Sequence, residues 1–127
     1  ISRVHGDDLI DQPAGASLRV VGKGGHVRIV PLVDELATRL RALNGWAFPG
    51  VDGHLSRYQV GRLMRRALDG RATPHQLRHA FATAVHRQTG DLRVVQELLG
   101  HASVATTQRY VLVDQDDLRA AVEAAAA

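Results

Sequence analysis

The sequence predicts an α+β fold, mostly α-helical with one small antiparallel β-sheet, and three observations carry that reading. Residues 17–32, SLRVVGKGGHVRIVPL, set two β-rich runs, Leu18–Val21 and Val27–Val30, on either side of a glycine-rich turn, which is the pattern of a hairpin. Beyond residue 33, apolar residues recur at helical spacing in one segment after another. Ser56 and Thr73 stand immediately before two of these segments, where a helix needs a side-chain acceptor for its first free amides.

Lys23 lies in the hairpin turn. Residues 33–44 place Val33, Leu36, Ala37, Leu40 and Leu43 on one helical face, with Asp34 and Glu35 in the first turn and Asn44-Gly45 as the stop. Residues 45–55, with Trp46, Pro49 and three glycines, read as a loop. Ser56 caps a helix over 57–69, whose apolar stripe is Val60, Leu63, Met64, Ala67 and Leu68. Arg62, Arg65 and Arg66 fall on its other side, placed to reach phosphates. Thr73 caps the next helix, Pro74 takes its first position, and Gln76 completes a capping box. Leu77, Phe81, Ala84 and Val85 form its core stripe and Gly90 ends it. A short helix runs from Asp91 to Leu99, stopped by Gly100, and another begins near Ser103 and runs toward Tyr110. Residues 114–125 form a last amphipathic helix through Leu118, Ala121, Val122 and Ala125.

At 127 residues and 45% hydrophobic content, the chain is one domain or a piece of one. Its first residue is Ile1 rather than Met, which suggests a fragment of a longer protein. No apolar run approaches 18 residues, so no membrane helix is expected, and residues 1–20 lack the apolar core of a signal peptide. Cysteine is absent, so disulfide and thiol chemistry are excluded and a cytoplasmic location is expected. The formal charge of +3 is unevenly spread: residues 57–93 carry eight arginines against Asp69 and Asp91, whereas 114–127 carry four acids and one arginine. A basic middle faces either solvent or a polyanion, most simply nucleic acid.

Of 16 basic side chains only Lys23 is a lysine. Arginine cannot surrender its proton, whereas lysine can when its pKa is lowered, so this one position is a candidate for proton transfer, against chance survival of a single lysine. His75 and Arg78, three apart in TPHQLRHAFAT (73–83), share a helical face beside free backbone donors. Two cations at the positive end of a helix call for an anion, and phosphate best fits the guanidinium fork. His75 and His79 are four apart, but Gln76 stands where a zinc-protease pattern needs glutamate; neither metal nor cofactor is expected. Residues 92–110 also read as a non-catalytic helix-turn-helix DNA-binding module, although Ser103, Val104 and Ala105 are poor readers of base edges.

TPHQLRHAFAT closely resembles the H-x-x-R box of the tyrosine recombinases (phage integrases). LLGHASVATTQRYV (98–111) resembles their L-G-H…T-T-x-x-Y box, including the nine-residue step from His101 to Tyr110, and VVGKGGHVRIVPL resembles their hairpin with its turn lysine. The three boxes stand in family order across residues 17–111. The resemblance implies a C-terminal catalytic domain over residues 1–127 that performs site-specific recombination, integrating or excising DNA without metal. By the same resemblance, Tyr110 attacks a scissile phosphate to form a 3′-phosphotyrosyl bond, Arg78 binds a non-bridging oxygen, His101 donates a hydrogen bond to the phosphate, His75 accepts a proton or positions the reactants, and Lys23 protonates the departing 5′ oxygen. The implied partners are double-stranded DNA and three further protomers in a ring of four, onto which the last helix docks either in trans or on its own domain. The family's first arginine, in a G-L-R-x-x-E stretch, has no counterpart: ISRVHGDDLID resembles the aspartate-rich segment that the family carries just after that stretch, and Arg3 lacks the flanking residues. A domain missing that arginine and a core-binding domain is expected to be a weak or inactive enzyme alone.

Overall fold

The structure, a computed structural model, describes residues 1–100 and 115–127. Three strands, β1 (Leu9–Gln12), β2 (Gly15–Val21) and β3 (Val27–Pro31), form an antiparallel sheet in sequence order. The register pairs Leu9 with Leu18 and Gln12 with Gly15, then Leu18 with Val30 and Val21 with Val27. The expected hairpin is therefore β2–β3, and β1 extends it by a strand that the sequence does not announce. Four residues, LIDQ, are too short and too polar for alternation to speak; pairing to β2 supplies what local pattern cannot.

Five helices are described: α1 (Asp34–Arg41), α2 (Arg57–Ala67), α3 (Pro74–Thr89), α4 (Leu92–Leu99) and α5 (Gln115–Ala126). The capping box expected at Thr73 is present, with Thr73 Oγ1 accepting from Gln76 N at 3.2 Å and Gln76 Oε1 accepting from Thr73 N at 2.8 Å. Ser56 forms the same box with Gln59. Gly90 and Gly100 end α3 and α4 in the left-handed conformation. The segment expected as a loop holds a minimal ladder, β4 (Pro49–Gly50) with β5 (Gly53–His54), and His5 bridges to Trp46.

Among the described residues, packing forms two apolar clusters. One gathers Val85, Val94, Val95, Leu98, Leu99, Leu118, Ala121 and Val122, with Val30, Val33 and Phe81 at its border. The other gathers Ala16, Leu32, Ala37 and Leu40 against Leu9, Leu18 and Leu43. Helix α1 rests on β1 and β2, and α5 lies across β3, α3 and α4. Three stripe residues are corrected: Leu36, Leu63 and Leu77 are exposed at 44%, 43% and 38%. Ala67 is exposed as well. Periodicity marks a face wider than the part these helices bury; α2 packs on α3, and of its stripe only Val60 is fully buried.

The last helix packs on its own domain rather than presenting a free face. Leu118, Ala121 and Val122 are buried, and the Arg119 guanidinium donates to Ala16 O at 2.9 Å, Leu32 O at 3.3 Å and Ser17 Oγ at 3.4 Å. Gly15 makes this possible: a Cβ there would stand 2.4 Å from Arg119 Nη1.

Candidate active site

The start of α3 is fixed by its capping box, and this fixes the two side chains just beyond it. His75, second in the helix, is exposed. Arg78, one turn on, reaches across to α4, where its Nη2 donates to Leu99 O at 2.7 Å. That carbonyl is one of the last in α4, without an intrahelical donor and at the negative end of the helix dipole, so a guanidinium is doubly favoured there. Gly100 then turns the chain out of α4 with φ 63° and ψ 40°, its N–H bonded to Gln96 O at 2.8 Å.

A second guanidinium approaches the same turn from the sheet. Arg28, on β3, lies so close to Gly100 that a Cβ there would stand 2.2 Å from Nη1 and 2.6 Å from Cζ. On its other side, a Cβ at Gly22 would stand 3.4 Å from Nη1. Arg28 is therefore flanked by the glycine before Lys23 and the glycine before His101. Its Nε is buried without a hydrogen-bond partner. Burial, and then repulsion by Arg78, lowers its pKa from the usual guanidinium value.

Lys23 opens the tight turn Lys23–Gly25 between β2 and β3, closed by Gly22 N donating to His26 O at 2.7 Å. Lys23 and His75 are both exposed, and neither has a side-chain hydrogen bond or ion pair with another described residue. Arg62, Arg65 and Arg66 line one shallow surface depression with Tyr58, Asp69 and Gly70. His101 and Tyr110 lie outside the described residues.

Of the site residues expected from sequence, the structure thus draws Arg78 to the Leu99–Gly100 turn, sets Lys23 on the turn adjoining Gly22, and gathers Arg62, Arg65 and Arg66 of α2 on one face. The residue that sequence reasoning missed is Arg28. Its signal was available: it is a lone charge within VRIVPL, an otherwise apolar strand, and a charge set among apolar neighbours needs a reason.

The hairpin, the capped H-x-x-R helix and the turn that closes α4 define a class, and the relatives agree. The family model of the phage integrase family matches residues 7–116, and the chain belongs to that family. It is similar to the tyrosine recombinase XerC of Rhodospirillum centenum, at 44% identity over 142 aligned residues covering 98% of this chain and 42% of that protein. It is also similar to the XerC of Actinobacillus pleuropneumoniae serotype 7, at 38% identity covering 98% and 46%. Among solved structures it resembles the XerH site-specific recombinase bound to its difH substrate in a pre-cleavage complex, with a TM-score of 0.65 and 25% identity over 94% of this chain and 40% of that one. The chain spans less than half the length of these relatives.

Proposed function

We propose that residues 1–127 are the catalytic domain of a site-specific DNA recombinase that breaks and rejoins strands through Tyr110. In this reading, Tyr110 Oη attacks the scissile phosphorus. The P–O5′ bond breaks, and the leaving oxygen takes a proton from Lys23. His75 receives the tyrosine's proton or positions the reactants. Arg78 and His101 neutralise the non-bridging oxygens, supplying in fixed charges what a metal supplies elsewhere. The 3′-phosphotyrosyl bond conserves the phosphodiester energy, so a free 5′ hydroxyl can rejoin without a nucleotide cofactor. Arg62, Arg65 and Arg66 contact the DNA backbone, and four protomers assemble on paired sites in the cytoplasm. The observation that carries this reading is the bond from Arg78 to Leu99 O, which sets the guanidinium of the H-x-x-R box two residues in sequence from His101.

The test is trapping with a nicked suicide duplex, using the full-length protein that this reading implies. A denaturant-resistant protein–DNA adduct that disappears in Tyr110→Phe while DNA binding persists is the expected result. Binding without any adduct would instead favour a non-catalytic helix-turn-helix module.

A further inference from the structure

We infer that Arg28 is a second phosphate ligand of the site, held unpaired beside Arg78 so that a DNA phosphate becomes its counter-ion. The inference rests on the proposed reading of the chain as a DNA strand-transfer domain, and the residue itself comes from the structure.

Five other arginines have side-chain partners among the described residues. Arg39 pairs with Glu35, Arg41 with Asp11 and Arg19 with Asp8; Arg119 has three oxygen acceptors; Arg78 has Leu99 O. Arg28 has none among the described residues, yet its Nε is buried. An unsatisfied buried polar group in a folded protein calls for an explanation, and the neighbouring Arg78 guanidinium repels the charge it carries. The fold nevertheless makes room for it: glycines at 22 and 100 leave free the space into which a side chain would intrude. Two neighbouring guanidinium groups lacking a carboxylate match the forked oxygens of a phosphodiester. The place is also right. Arg28 touches Gly22, adjacent to Lys23, and neighbours Arg78, so a phosphate bound there lies beside two residues proposed to act on it.

A purely structural role makes the opposite prediction. If Arg28 were a packing strut, removing its charge would loosen the domain and leave the count of phosphate contacts unchanged. The experiment uses this chain and its Arg28→Met and Arg28→Lys variants, with a short duplex titrated over a range of salt. Each phosphate neutralised contributes about 0.9 to the slope of log affinity against log salt. Arg28→Met is expected to lose about that much slope while its unfolding midpoint stays at or above the parent's, and Arg28→Lys is expected to keep the slope. A slope unchanged in Arg28→Met overturns the inference. Should that variant fail to fold, the parent decides: the ¹⁵N resonance of Arg28 Nε must respond to the duplex, and indifference overturns the inference as well. An adduct at Tyr110 in the full-length protein together with an unchanged slope sinks the role of Arg28 alone, whereas a full-length protein that neither binds DNA nor forms the adduct sinks both readings.

Discussion

Gly90 and Gly100 offer a matched pair for testing the arrangement at the end of α4 without touching a charged residue. Both end a helix in the left-handed region, at φ 67° and 63°, and each N–H bonds four residues back at 2.8 Å. Alanine at either position incurs the left-handed penalty of about 1 kcal/mol. At Gly90 nothing lies within 4 Å of the new Cβ; at Gly100 it would meet Arg28 Nη1 at 2.2 Å. The obstructing atoms are the far end of a flexible side chain, so Arg28 yields rather than the helix. To reach ordinary contact at 3.4 Å it must withdraw by about 1 Å, the scale of misplacement that costs on the order of 10²-fold in rate. Because the displaced guanidinium gives up no hydrogen bond, Gly100→Ala and Gly90→Ala should lose the same stability, each about 1 kcal/mol in urea unfolding. They should part in function: Gly100→Ala loses DNA-binding salt slope and slows adduct formation in the full-length protein, and Gly90→Ala does neither. The reasoning is refuted if Gly100→Ala binds and cleaves as Gly90→Ala does, or if it unfolds with an added cost of more than about 2 kcal/mol, which would make Arg28 a structural pin.

Three further outcomes are expected. Lys23→Ala should be restored by a duplex with a 5′-thio leaving group, which departs without a proton, and failure of that rescue removes Lys23 from the acid role. Leu118→Ala should destabilise the domain by about 2–4 kcal/mol in thermal or urea unfolding, the cost of emptying a buried leucine site; a change below about 0.5 kcal/mol would mean α5 is not seated on its own domain in solution. Replacing Arg62, Arg65 and Arg66 together by alanine should lower the salt slope by about 2–3 without changing the unfolding midpoint, and an unchanged slope would take α2 off the DNA.

Local chemistry made much of this fold readable in advance. Thr73 and Gln76 cap α3, and Gly90 and Gly100 stop α3 and α4, because those features depend on residues within one turn of each other. What local chemistry could not supply was tertiary. β1 exists because β2 pairs with it. Leu36, Leu63 and Leu77 fit their stripes but stay partly open to solvent, because the neighbouring elements do not cover the whole face. Arg28 sits in the same hairpin motif as Lys23, and attention to the turn hides it, since its meaning depends on Gly100, 72 residues away in a different element. The resemblance to a known family gave roles to His75, Arg78 and Lys23, yet it drew no notice to a charge that only packing brings to the site.

The bonds from Arg119 to Ala16 and Leu32 span 103 and 87 residues of sequence, and this sets a timetable for the chain's synthesis. While a ribosome is still making residues 1–100, the apolar faces of Val85, Val94, Val95 and Leu98 have no α5 to cover them. Contacts so distant in sequence close late and slowly, and a nascent chain with an open apolar face is prone to aggregate. The domain's large core cannot be completed until its acidic final helix has emerged, so the arginine-rich surface is made first and waits, unfinished, for its last segment.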